Sequence, residues 1–375
     1  MCGFSRLFSS QILGTNGQKW LKHKNLHFVL ADWVMVCQTC PNFMRARIRP
    51  CRQDMQKRRF IPGAVNHCFQ KTAGEEVLFY NVSDYLACFT FICVAARGHR
   101  LSLLSLVLMP DHLHHCTRAQ ESEELSAFVR EYTAHFASMQ NKMCHHPKPL
   151  FLKPFGSAPK MGDKSVRTAL VYLGNNGPER KLSALAAEYR WSFLAYYHND
   201  HPFSEPLRLA TASKALRRAV SLVRDKAAKN QPLRYQTLQW LFKSLGTMER
   251  QQLADFIVTS YNVIDYEAAI SYFGSYEAML EAMRLTKGSE HDIEEKFVGW
   301  DDKVYAQMTR ILMTEKELAD IHDLFLMPEA DRHALIPFLE TRTLAPRKQI
   351  LKFLRLPMAD CVSGFVADGR GGSHA

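Results

Sequence analysis

Leu108-Met109-Pro110-Asp111-His112-Leu113-His114 reads as an apolar strand that enters a proline turn and emerges on two histidines one residue apart. Alternate side chains of a β-strand share a face, so His112 and His114 project together, with Leu113 behind them. Two adjacent imidazoles can hold one divalent cation; neutral imidazole suits Mn2+ and other transition ions, and Mg2+ less well. Most His-x-His pairs are solvent-facing or bonded within a core. This one follows a buried strand and a turn, where a sheet edge meets solvent, and that context favours the metal. His115 should point to the opposite face. His145, His146, His198 and His201 fall in loops or beside a linker and read as surface residues.

About sixty residues on lies Val171-Tyr172-Leu173-Gly174-Asn175-Asn176. Positions four apart share a helix face, so Lys164, Thr168, Tyr172 and Asn176 form one stripe. A tyrosine hydroxyl, with a reference pKa of about 10, attacks at neutral pH only beside a cation or on an already polarised phosphate. An amide one turn away can supply a third metal ligand. Each residue also has an ordinary explanation: Tyr172 as a core aromatic, and Asn176 as part of the helix-ending run Asn-Gly-Pro. Lys164 lies on the stripe as a candidate phosphate contact, and Arg167 and Lys71 join it as candidate DNA contacts.

The charge points the same way. The 375 residues carry a net +11, and all of the excess lies in residues 1–204, with 25 Lys+Arg against 14 Asp+Glu; residues 205–375 hold 23 of each. A localised positive field suits a phosphate-binding surface, although an idle basic surface looks the same. Ten cysteines are scattered, several in apolar runs, and suggest reduced core thiols in a cytoplasm. Cys37-Gln38-Thr39-Cys40 is a lone CxxC, a weak metal signal. No apolar run reaches the ~18–20 residues that span a bilayer.

Length favours two domains. Residues 1–57 show no sustained period and are expected to be a poorly ordered extension. Residues 58–204 give strands at Ala64–Lys71, Arg100–Met109 and His112–Thr117, and shorter extended pieces at Val77–Tyr80 and Lys148–Phe155. Helices are expected after Ser83-Asp84, over Glu121–Met143, and from Asp163 to Gly177-Pro178. The order β-α-β-β-α-β-α predicts an α+β fold, an antiparallel or mixed sheet with helices on one side. Residues 202–206 read as a linker and 205–367 as helical, with 368–375 a disordered tail. Thr343–Leu356 looks somewhat like the second helix of a helix-turn-helix, but an amphipathic core helix with a solvated basic face fits slightly better.

Met109-Pro110-Asp111-His112-Leu113-His114 resembles the HUH motif of single-tyrosine transposases. Residues Tyr172–Leu182 resemble their tyrosine helix, Tyr189–Tyr196 the Trp-Ser segment that follows, and Phe60–His67 the first strand. The resemblance covers roughly residues 58–200 and is strongest to the REP-associated tyrosine transposases. It implies a ferredoxin-like HUH nuclease core. In that core His112 and His114 would bind Mg2+ or Mn2+, Asn176 would stand at the third-ligand position, and Tyr172 would form a 5′-phosphotyrosyl link to single-stranded, hairpin-bearing DNA. Gly177 departs from the family's usual proline, and His115-Cys116-Thr117 is more polar than its usual run.

Three functions compete. The first is an active DNA-strand transferase, cytoplasmic and associated with the nucleoid when on DNA, working as a homodimer or monomer. The second is a host-kept DNA-binding protein of the same fold without chemistry. The third is a metal-dependent hydrolase with a structural Tyr172, which lacks an obvious base to activate water.

Overall fold

The computed structural model describes residues 59–358, apart from 75, 146–148, 153 and 287–300. The N-terminal extension, the CxxC, His146 and the tail lie outside the described residues. Four strands, β1 (Val65–Lys71), β2 (Leu101–Met109), β3 (His112–Ala119) and β4 (Gly156–Lys160), form one antiparallel sheet in the order β2-β3-β1-β4. Helices α1 (Val82–Gly98), α2 (Ser122–Met143) and α3 (Gly162–Glu179) alternate with them in the expected order.

The helices cover both faces of the sheet, not one. His115 meets Phe128 and Tyr132 of α2, whereas its neighbour His114 meets Tyr172 of α3. The reason lies in β2, where Leu103, Leu104 and the run Leu106–Met109 are all buried. A strand apolar on both sides needs a cover on each.

Local chemistry sets the element ends. Helix α1 is capped by Asn81, two residues before the expected Ser83. Asn81 Oδ1 accepts from the backbone N–H groups of Ser83 and Asp84 at 2.9 and 3.2 Å, and the Asp84 carboxylate reaches back to the Asn81 N–H at 3.4 Å. This reciprocal capping satisfies donors that a helix start leaves open. Val77–Tyr80 is not a strand: the N–H groups of Leu78 and Phe79 both go to the Pro110 carbonyl, at 2.7 and 3.1 Å. The fourth strand lies beyond the expected Lys148–Phe155, because Gly156 fits against the Phe69 ring where a Cβ would stand 2.0 Å from it.

The described residues beyond 204 are helical: α4 (Lys214–Ala228), α5 (Tyr235–Phe242), α6 (Thr247–Tyr261), α7 (Tyr266–Ile270), α8 (Tyr276–Leu285), α9 (Lys303–Glu315), α10 (Glu329–Arg342) and α11 (Arg347–Leu354). One apolar core runs from Val65, Phe89 and Phe136 through to Val220, Leu253 and Tyr261. A second joins Val77 and Tyr80 to α9, α10 and α11. Residue 204 therefore marks a change of secondary structure within a shared core. The expected linker is pinned there by buried Asp255, which accepts from Phe203 N at 3.1 Å and Ser204 Oγ at 2.8 Å, and pairs with Arg190. Among the described residues no helix is long and apolar enough to cross a membrane.

Candidate active site

Strand β3 opens on the two histidines, and its pairing with β1 fixes what stands beside them. Lys71 is opposite His112, Phe69 opposite His114, and His67 opposite Cys116. Alternation puts His67, Phe69 and Lys71 on the histidine face. Helix α3 lies over that face and brings Tyr172 down onto it. The Tyr172 ring stands edge-on to His114, with centroids 5.6 Å apart, and to His67 at 5.7 Å. Two stretches sixty residues apart in sequence thus converge on one point.

The histidines are held by different partners. His112 Nδ1 lies 2.5 Å from Asp111 Oδ1. A carboxylate on one ring nitrogen fixes the tautomer and leaves the other nitrogen as the ligand atom. Among the described residues the buried His112 Nε2 has no hydrogen-bond partner, which fits a site for a cation. His114 Nδ1 lies 3.0 Å from His67 Nε2, with the two rings stacked. The His112 and His114 rings are nearly perpendicular, with centroids 4.8 Å apart. Among the described residues no three His, Cys, Asp or Glu side chains gather as a metal-binding group. The two imidazoles would therefore need an amide, water or substrate oxygen to complete a coordination shell.

Asn176 lies one turn beyond Tyr172, and its amide Nδ2 donates to the Tyr172 carbonyl at 2.8 Å. Gly177 is required here: a Cβ on it would stand 2.8 Å from Cβ and Cγ of Tyr189, whose hydroxyl is bonded to the Leu108 carbonyl at 2.7 Å. The site is closed, with His112 5%, His114 0%, Tyr172 7% and Asn176 4% exposed.

The three expected DNA contacts are not gathered. Lys71 sits beside the histidines, with its ammonium over the Phe69 ring at 5.7 Å. Lys164 is exposed at the start of α3, two turns before Tyr172, and Arg167 turns aside to the Tyr272 carbonyl at 3.3 Å. His115 does face away from the site. It bonds Thr117 Oγ1 at 2.6 Å and Tyr132 at 3.3 Å, and burial lowers its pKa to about 3.

Sequence reasoning missed His67, Asp111 and Lys352. In the sequence Asp111 reads only as a turn residue, and His67 only as the end of a first strand. Lys352 stands on α11, where Gln349, Ile350, Leu351, Phe353 and Leu354 are all buried. The helix is a core helix, and Lys352 points inward to pair with Asp111 Oδ2. Burial alone would raise the Asp111 carboxyl, but His112 and Lys352 outweigh it and hold it well below the usual carboxylate range. Nearby Asp302 moves the other way: burial, reinforced by Asp111, raises it to about 6, against the pull of Arg180, His112 and Lys352.

No family model matches the chain, and no curated protein matches it. A distant structural neighbour is a REP-associated tyrosine transposase, solved bound to a REP hairpin, at 17% identity and a TM-score of 0.32 over 38% of this chain and 82% of that one.

Proposed function

We propose that this chain is a metal-dependent strand transferase that cuts and rejoins single-stranded, hairpin-bearing DNA through Tyr172, on a ferredoxin-like HUH core. The observation that supports this most is the meeting of the Tyr172 ring with His114 and His67 on the one sheet face that also carries His112.

A divalent ion held by the two imidazoles, Mn2+ or Mg2+, would draw charge from a scissile phosphate. Asp111 would hold His112 through Nδ1 and leave Nε2 as the ligand atom, and His67 would do the same for His114. Tyr172 Oη would attack phosphorus and give up its proton, the P–O3′ bond would break, and the departing 3′ oxygen would take up a proton to leave as a 3′-OH. The tyrosine ester keeps the bond's energy, so rejoining by a 3′-OH needs no nucleotide cofactor. Lys71, opposite His112, is the proposed contact for an adjoining phosphate, and Asn176 is the proposed third ligand through its amide oxygen.

A second reading, a DNA-binding protein of the same fold without chemistry, is favoured by one observation: His112, His114 and Tyr172 are all buried. One experiment separates the two. Labelled single-stranded hairpin oligonucleotides are mixed with the protein and Mn2+ and run on a denaturing gel. A covalent adduct that disappears on metal removal and in Tyr172→Phe supports strand transfer. Binding without an adduct supports the silent reading, and an adduct that survives Tyr172→Phe removes Tyr172 as nucleophile.

A further inference from the structure

Helix α11 lies 241 residues from Asp111 in the chain. It nevertheless closes on the carboxylate that holds His112. The two Asp111 oxygens are divided: Oδ1 takes His112 Nδ1, and Oδ2 takes the Lys352 ammonium. Both side chains of the Lys352–Asp111 pair are 11% exposed. One turn back on the same helix face, Gln349 Nε2 reaches Asp302 Oδ1 and the Asp301 carbonyl, both at 3.3 Å. The Asp302 N–H in turn donates at 3.1 Å to the carbonyl of Arg180, the residue that ends α3. A single helix from the C-terminal region is thus tied to both halves of the candidate site, the histidine strand through Lys352 and the tyrosine helix through Gln349 and Asp302.

We infer that Lys352 is a positioning residue for His112: by fixing the rotation of the Asp111 carboxylate it sets the direction of the His112 Nε2 lone pair. The inference rests on the metal role proposed for His112 and adds to it a reason for the helical C-terminal region. A carboxylate with one free oxygen can swing about its Cβ–Cγ bond and leave a ring nitrogen. With each oxygen held by its own donor it cannot. The surroundings favour this division: the pair is shielded from water, so its hydrogen bonds keep most of their directional strength.

The test is Mn2+ affinity of the full chain without DNA, read from loss of the free-ion electron paramagnetic resonance signal, with a thermal melt of each variant. Lys352→Met is expected to weaken Mn2+ binding about tenfold, the lower end of what a lost outer-shell partner costs. Lys352→Arg is expected to restore most of it. Arg347→Met, on the same helix as Lys352, breaks the exposed pair with Glu340 of α10 and is expected to leave it unchanged. If Lys352→Met does not fold, Lys352→Ser, too short to reach Asp111, removes both the charge and the direct donor, and the Ser–Arg pair carries the same comparison. Equal affinity in wild type and a folded, uncharged variant overturns the inference and leaves the functional reading standing. A wild type that binds no Mn2+ overturns both.

Discussion

His67 on β1 and His114 on β3 share one hydrogen bond, Nε2 to Nδ1 at 3.0 Å, with their rings stacked 5.2 Å apart. The bond holds one proton between two nitrogens, so one ring donates and the other accepts. For His114 to offer Nε2 to a cation its proton must be on Nδ1, which makes His67 the acceptor. His67→Phe keeps a stacked ring and removes the acceptor. Its expected effect is a ~10–100-fold loss of Mn2+ affinity and a matching fall in adduct yield, with a modest fall in melting temperature from the buried His114 donor left unpaired. Unchanged affinity in titration calorimetry would make His67 a packing residue.

The two glycines of α3 should differ when given a methyl group. At Gly177 the new Cβ would press 2.8 Å from Cβ and Cγ of Tyr189, which is anchored at its hydroxyl. At Gly174 it would meet Sδ and Cε of Met283, the flexible end of an unbranched chain. Gly177→Ala is expected to cost ~1–3 kcal/mol and to lower adduct formation by displacing Asn176 and Tyr172, and Gly174→Ala to cost less. Chemical denaturation of both variants checks the ranking, and the reverse order would refute it.

Stability should fall at both ends of the pH scale, through two histidines with opposite signs. Burial alone would lower His322, but Asp84 and Asp320 outweigh it and raise its pKa to about 9. Its contribution is complete below the unfolded value of about 6.5 and is lost as pH rises through 9. Burial lowers His115 to about 3, so its contribution is complete above about 6.5 and is lost as pH falls towards 3. Each shift corresponds to a few kcal/mol. Melting temperature against pH should therefore be highest near neutrality. His322→Gln is expected to flatten the alkaline limb and leave the acid limb; an unaltered alkaline limb would remove His322 as its source.

Much of the first two hundred residues was readable because the signals were local. The His-x-His alternation, the four-residue spacing from Tyr172 to Asn176 and the order of β1 to α3 each depend on neighbours in sequence. His67 was not readable as a site residue, because a lone strand histidine acquires its partner only when strand pairing sets the register. The cover on both faces was written in β2, whose unbroken apolar run argues against a solvated side. Lys352 was hidden for a different reason: in a basic amphipathic helix, nothing local separates a lysine that faces water from one that turns to a carboxylate 241 residues away.

The closed state of the site bears on how fast it can work. With His114 fully covered and Tyr172 only 7% exposed, a phosphodiester cannot arrive until α3 and β3 part, or the chain between them yields. On the proposed function, encounter with DNA and access to Tyr172 are then separate events, the second belonging to the protein. At rising DNA concentration the rate of adduct formation should level off at the opening frequency of this lid-like helix. Substitutions that loosen α3 would raise that ceiling while weakening the fold.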